Sequence, residues 1–448
     1  MAHITSRTGA HIRLRGSPDY RATANPSRGD GGFRPPSGAS CKRGRASMTI
    51  RKPLEHSELV TGKRIESLDV MRGVIMILMT LEHVRISSAW QAHLLWGAHS
   101  PLGPVDTTYS FPNVSALFFY IRWFSNFCAP IFIFLAGASV FLWHNRKGEA
   151  ASLTRYLVTR GAWLVLVNFL IKTSAPFSGN PLFDLDVLWP IGVSMILLGL
   201  TLKLPKPLLW CLGLAVVFGH DLLDGVTVAG SPWRELWSVG FRAGEFPLPW
   251  GGSVYVRYPF VAWYGVMLIG YLLGPVFLAK ERRLQRLCGI GAAMLAAFLL
   301  LRLTQGYGEP RLWQIYAETW KTAASFLNTS KYPPSLQFLL FNVGCMFLGI
   351  ALIERFRLRS GLLLAIGSCP LFFYVAHYLM TRAGAKALAV YNGPGADALR
   401  AALFSPPGIA IVALCVVLVL YPACIRLQKH KSAKRTTARA RYEEAFLK

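Results

Sequence analysis

Ser67-Leu68-Asp69-Val70-Met71-Arg72-Gly73 opens an apolar run that goes on to carry Glu82, His83 and Arg85. Charge inside a membrane helix is costly, and ionisable groups kept there line a site or a pathway rather than face lipid. At ~100° per residue, the eleven positions from Arg72 to His83 leave roughly 20° of net rotation, so both side chains share one face about three turns apart. Asp69 lies one turn below Arg72, within reach of a charge pair, and Glu82 and Arg85 are spaced to pair with each other. The stretch predicts a transmembrane helix with an anchored guanidinium low on one stripe and a titratable imidazole higher on it.

The rest of the chain agrees with that class. It has 448 residues, 53% of them hydrophobic, and a mean hydropathy of +0.38. We read an all-α polytopic membrane bundle of about ten transmembrane helices. The spans fall near 67–89, 115–144, 155–172, 186–203, 207–223, 258–279, 285–303, 335–354, 362–381 and 407–427. The second of these reads as a short amphipathic helix followed by a span that begins near Phe127. A net charge of +26 would suit nucleic acid, but the basic residues sit in two tails and in short loops between apolar runs, which is a topology signal. Nucleic acid is excluded as a partner.

Three regions follow from composition. Residues 1–63 form a basic tail whose first 47 residues, rich in Arg, Gly, Ser and Pro, cannot bury a core and are expected to be disordered. Met48-Thr49-Ile50-Arg51-Lys52 offers a second start, so the tail reads either as a mis-assigned start or as a floppy basic segment. Residues 64–427 form the transmembrane domain, and 428–448 a basic cytoplasmic tail. Cys128, Cys211, Cys288, Cys345, Cys369, Cys415 and Cys424 lie in or beside apolar runs and Cys41 in the tail; their spacing matches neither a metal site nor a disulfide framework, so they read as small packing residues.

Orientation follows from Lys and Arg. Arg51, Lys52, Lys63 and Arg64 precede the first span, whereas 86–121 contains neither residue. Basic groups return at Arg146, Lys147 and Arg155, at Lys203 and Lys206, at Lys280, Arg282, Arg283 and Arg286, at Arg355, Arg357 and Arg359, and from Arg426 onward. Every second connection is basic, which places both termini in the cytoplasm of a cell membrane and the connections 86–114, 224–257 and 304–334 on the opposite side.

With that topology, His83 comes to the same depth as Arg122, Asp184, Asp186, Arg257, Lys331 and His377. Groups delivered to one depth by separate helices can line one water-accessible pocket. The bland reading of each is a helix-mouth charge that snorkels, as for Asp184, Asp186, Arg257 and Lys331, a satisfied histidine, as for His83 and His377, or a structural ion pair, as for Asp69 and Arg72. Trp189-Pro190 reads as a kinked helix start, and Gly137 as a point of close helix contact. His93, His99 and His144 are too isolated to assign. Walker, GxGxxG, HExxH and GxSxG motifs are missing, which argues against a nucleotide-driven pump.

At these residues the chain resembles a known family. Arg64-Ile65-Glu66-Ser67-Leu68-Asp69-Val70-Met71-Arg72-Gly73 is similar to the opening of the catalytic domain of heparan-alpha-glucosaminide N-acetyltransferase and its bacterial relatives. The resemblance continues at Phe127 to Gly137, Leu188 to Met195, Pro259 to Gly270, Lys331-Tyr332-Pro333-Pro334-Ser335 and Pro370 to His377, covering roughly 64–380. It implies a multi-span enzyme that moves an acyl group, above all acetyl, from acyl-CoA as cosubstrate to a saccharide or lipid-linked acceptor across a bacterial inner membrane, with no metal. The Arg72-to-His83 spacing also resembles the first-span Arg/His pair of membrane acyltransferases that modify surface polysaccharides. By that likeness, His83 is the catalytic base, with Glu82, Arg72 and Asp69 supporting it. Arg122, Asp186, Trp189, Arg257, Lys331, Tyr332 and His377 are then expected to bind substrate or acyl-CoA. The family's own histidine, in a Trp-Asn-Gly context before the second span, has no counterpart near 110–118 and is not carried over. Expected partners are the bilayer, the acceptor and, in a homodimer, a second copy of the chain. The rival reading is a transporter or flippase for a sugar or anion that uses the same polar stripe as its path.

Overall fold

The computed structural model describes residues 65–96, 115–147, 150–174, 180–279 and 281–446. The tail expected at 1–63, Cys41, His99, Lys280 and most of the stretch 110–118 lie outside these residues. The first helix, α1 (Glu66–Trp96), starts with Glu66 and Asp69 in its opening turn, where carboxylates complement the positive end of the helix dipole. Its apolar residues Leu68, Val70, Met71, Ile75, Met76 and Met79 are all buried, and so are the charged Asp69, Glu82 and Arg85.

Helices α2 (Ala116–Phe124), α3 (Cys128–Lys147), α4 (Ala150–Lys172), α5 (Leu188–Thr201), α6 (Lys206–Gly219), α7 (Trp233–Phe241) and α8 (Phe260–Leu272) follow. Beyond them come α9 (Arg283–Thr304), α10 (Thr319–Leu327), α11 (Leu336–Arg355), α12 (Gly361–Ser368), α13 (Pro370–Val390), α14 (Ala396–Phe404) and α15 (Pro406–Phe446). Around α1 pack α3, α11, α12, α13 and α15; α3 packs on α8, α4 on α5, and α9 on α11. A single-turn 3-10 segment, Ser125–Phe127, separates α2 from α3, as the split reading of the second span expects. Helix α15 continues through 428 to Phe446, so the basic C-terminal tail begins as a helical extension of the last span.

Among the described residues the structure is mostly helical. Among the described residues, six helices are long and apolar enough to cross a membrane, or seven if α12 and α13 count as one broken span. The count of about ten read from the sequence is not confirmed, for physical reasons. Helix α1 carries Asp69, Arg72, Glu82 and Arg85, and α4 carries Arg155, Arg160 and Lys172, so neither is a plain apolar rod. Helix α5, with 14 residues, rises only about 21 Å, short of the ~30 Å hydrocarbon core. The predicted ninth span is broken: α12 and α13 meet at 93°. Cys369 has left helical geometry there (φ −132°, ψ 53°), as expected of a residue that precedes a proline.

The all-α reading also misses a small sheet. Strands β1 (Thr173–Ser174), β2 (Leu182–Leu185), β3 (Gly244–Pro247) and β4 (Ser253–Val256) pair in the order β1-β2-β4-β3. The central β2–β4 pair is parallel, with Asp184 opposite Tyr255 and Leu185 opposite Val256. Strand β2 leads into α5 and β4 into α8, so the sheet ties two helix entrances together. It thereby brings Asp184 and Asp186 beside Arg257.

Candidate active site

A cavity of about 480 Å³ opens beside the upper half of α1. Its walls come from α1 (Met79, Glu82, His83), the 3-10 turn (Ser125), the end of α4 (Lys172), the sheet (Asp184), the α5 entrance (Asp186), the α8 entrance (Arg257, Tyr258), the loop before α11 (Lys331, Tyr332) and α13 (Tyr378). A second cavity, of about 340 Å³, lies beside the lower half of α1 and is lined by Arg72, Ser139, Arg160, Trp143 and Tyr156 among mostly apolar side chains. Met79 and Val187 line both.

His83 occupies the wall of the first cavity, between two aromatic edges. Tyr374 and Tyr378 meet its ring edge-on at 5.8 and 5.4 Å between centroids. His377 lies behind it, fully buried, its ring nearly parallel at 13° and its Nε2 2.7 Å from His83 Nδ1. His377 is therefore a partner of His83 rather than a lining residue.

Glu82 does not serve His83. Its carboxylate accepts two hydrogen bonds from Arg85, at 2.8 and 2.9 Å, and pairs with Arg122 at 3.4 Å. Arg122 in turn donates to Ser125 Oγ and Asn126 Oδ1. This buried cluster ties α1 to α2 and the 3-10 turn, and it holds Arg122 behind the wall.

Two ion pairs form the opposite side. Lys172 pairs with Asp186 and rests 3.6 Å from the centre of the Tyr378 ring, a cation–π contact. Arg257 pairs with Asp184 at 3.2 Å. Burial pushes the Asp186 carboxyl up, but the Lys172 and Arg257 cations outweigh it and hold the group well below the usual carboxylate range. Burial and the neighbouring Asp186 push Asp184 up.

Lys331 is buried and donates to the Ser125 carbonyl at 3.3 Å. Burial, followed by the Arg122 guanidinium, pushes its ammonium down to about 7. Tyr332 stands 3.1 Å from Tyr258, hydroxyl to hydroxyl. Burial pushes the Tyr332 phenol up to about 12 and Tyr258 well above its ordinary value, so both remain hydrogen-bond donors at neutral pH.

Arg72 lies about 16 Å below His83 along the helix and lines the second cavity. It bonds to Asp69 at 2.8 Å, to the Leu135 carbonyl at 3.4 Å and to Ser139 Oγ. Thus His83, Glu82, Asp186, Arg257, Lys331 and Tyr332 meet in one cavity, while Arg72 lines the next and Asp69 only pairs with it. Trp189 joins neither; it packs edge-on against Phe169 at 6.2 Å, and Pro190 sits in the first turn of α5, where a missing N–H costs nothing. Lys172 and Tyr258 escaped the sequence reading. The signal for Lys172 was a cation at the outer end of an apolar run, the same signal that singled out Lys331. Among the described residues, no three His, Cys, Asp or Glu side chains are grouped as a metal site would need.

Residues 106–316 match the family described as heparan-alpha-glucosaminide N-acetyltransferase, catalytic. Over that stretch the chain is similar to this family. The matched stretch supplies Lys172, Asp184, Asp186 and Arg257 to the cavity wall and Arg122 behind it, while His83 and Lys331 line the cavity from either side of the match. Likeness to the family, with the apolar helices, implies a membrane acetyltransferase. A search of curated proteins finds no match.

Proposed function

We propose that the protein transfers acetyl from acetyl-CoA to a hydroxyl or amine of a saccharide or lipid-linked saccharide, with His83 as general base, in a bacterial inner membrane with both termini cytoplasmic. One observation carries this reading: the two cavities meet at Met79 of α1 and Val187 at the α5 entrance, with two arginines at one end and an imidazole at the other. The lower cavity suits the donor. Arg72 and Arg160 are placed for phosphate groups, and the apolar walls of Phe132, Leu164 and Leu371 suit the acyl arm. The upper cavity suits the acceptor, since its polar lining offers hydroxyl-binding groups.

The reaction balances within these parts. The acceptor O–H or N–H gives its proton to His83 as the acceptor attacks the thioester carbonyl. The C–S bond then breaks, and the CoA thiolate leaves and takes up the proton. Holding the two substrates in line supplies much of the acceleration. Donors at the reacting carbonyl supply more, and Lys331, Tyr332 and Tyr258 are the donors nearest to hand.

The test is His83→Ala in membranes supplied with [14C]acetyl-CoA and glucosamine as probe acceptor. Transfer is expected to fall by about 10²–10⁴-fold; undiminished transfer removes His83 from the mechanism. Glycan mass spectrometry of cells with and without the protein would then identify the natural acceptor by a lost acetyl mass.

A further inference from the structure

The bonding around His377 fixes more than its own position. His377 Nδ1 lies 2.7 Å from the Phe373 carbonyl oxygen. A carbonyl only accepts, so this nitrogen carries the proton. In a neutral imidazole the other nitrogen, Nε2, then has a bare lone pair. That lone pair faces His83 Nδ1 at 2.7 Å, so His83 must donate from Nδ1. It follows that the unprotonated nitrogen of His83 is Nε2, on a ring that lines the acceptor cavity. The reverse arrangement would set the His377 Nδ1 lone pair against the Phe373 carbonyl, both buried, a repulsion with no water to relieve it.

We infer that His377 is a positioning residue that locks His83 in the Nδ1–H tautomer, so that Nε2 is held ready to accept the acceptor's proton. The inference deepens the acetyl-transfer reading and rests on it. Stacking between the rings, with centroids 4.9 Å apart, and the edges of Tyr374 and Tyr378 prevent His83 from turning over. The anchor is backbone: Phe373 sits in the first turn of α13, just beyond the bend at Cys369, so the α12–α13 break places the carbonyl that begins the relay. The tautomer of a catalytic histidine is set by whatever its second nitrogen bonds, and here that partner is a second histidine rather than a carboxylate. Glu82, the nearest carboxylate in sequence, is taken up by Arg85 and Arg122.

The experiment reads the tautomer directly. Protein labelled with [15N]histidine is purified in detergent, and the ring nitrogens of His83 are assigned by their loss in His83→Asn. Wild type is expected to show a protonated Nδ1 and a bare Nε2. His377→Gln keeps an acceptor oxygen in place of Nε2 and is expected to preserve both that pattern and most of the turnover in the acetyl-CoA and glucosamine assay. His377→Leu removes the acceptor; the Nε2–H form should appear, and kcat should fall by up to the ~10²–10⁴-fold that a general base supplies, with the KM for acetyl-CoA unchanged. A protonated Nε2 on His83 in wild type overturns the inference, as does a His377→Leu protein with wild-type shifts. Should His377→Leu not fold, the wild-type and His377→Gln spectra decide alone. The two readings fail separately: undiminished transfer by His83→Asn sinks the base assignment, whereas a wrong tautomer with transfer lost in His83→Asn sinks only the role of His377.

Discussion

At the scale of single residues, burial decides what each charge does. Lys331 has its ammonium pushed down to about 7, first by burial and then by Arg122. Between that value and the ~10.4 of a free lysine, the unfolded chain holds a proton that the folded chain has released. Wherever the unfolded state binds more protons, stability rises with pH. Lys331→Met abolishes this dependence, so its thermal midpoint relative to wild type should be most favourable near pH 7 and lose ground steadily toward pH 10. Melting curves in detergent across that range check the slope. Glu82 is the opposite case, a buried carboxylate under two guanidiniums. Glu82→Gln leaves those cations without their counter-charge, a loss of about 3–5 kcal/mol by the usual cost of breaking a buried pair. A midpoint that barely moves would show that Arg85 and Arg122 are satisfied some other way. Its presence beside His83 in sequence suggested a tuning role, but adjacent helical positions point in different directions.

At the scale of elements, glycines set how closely the helices approach. A Cβ at Gly367 of α12 would stand 1.9 Å from the Asp69 carbonyl oxygen of α1, and one at Gly73 would stand 2.3 Å from the Leu363 carbonyl oxygen. Helix α3 meets α8 in the same way, with Gly137 against Met267 and Gly270 against Phe134. Small residues allow such contact between membrane helices, and the close approach read from Gly137 in the sequence is found there. Gly367→Val should force α1 and α12 apart and lower stability by at least the 1–3 kcal/mol typical of overpacking. Because α12 leads directly into α13, the loss should extend to the His83–His377 contact. A detergent melt with no shift would mean that the crossing has slack. The parallel β2–β4 pairing is the other decisive element. Two-residue and four-residue strands in the loops at 173–185 and 244–256 have no periodicity strong enough to read, yet they bring Asp184 and Asp186 to Arg257.

At the scale of the whole molecule, two cavities lie along one helix and meet at Met79. If the lower one holds acetyl-CoA, Arg160→Gln should raise the KM for acetyl-CoA by about 10–100-fold, the worth of a lost hydrogen bond to a charged group. The kcat should stay near wild type, because Arg160 is remote from His83. Saturable acetyl-CoA binding to purified protein, weakened by the same substitution, gives an independent readout; equal affinity in both proteins would remove the lower cavity as the donor site.

Apolar run length and the placement of Lys and Arg are properties of a chain in lipid, so membrane helices and the shared face of Arg72 and His83 were readable without coordinates. Hydrophobic burial is non-directional, however, and leaves open which helix lies beside which. The contacts between His83 and His377, nearly 300 positions apart, between Lys172 and Asp186, and between Glu82 and Arg122 depend on how α1, α4 and α13 pack. The bend at Cys369–Pro370 and the glycine crossings fix that packing. Short-range periodicity carries no record of either, because both act through steric fit between segments far apart in the chain.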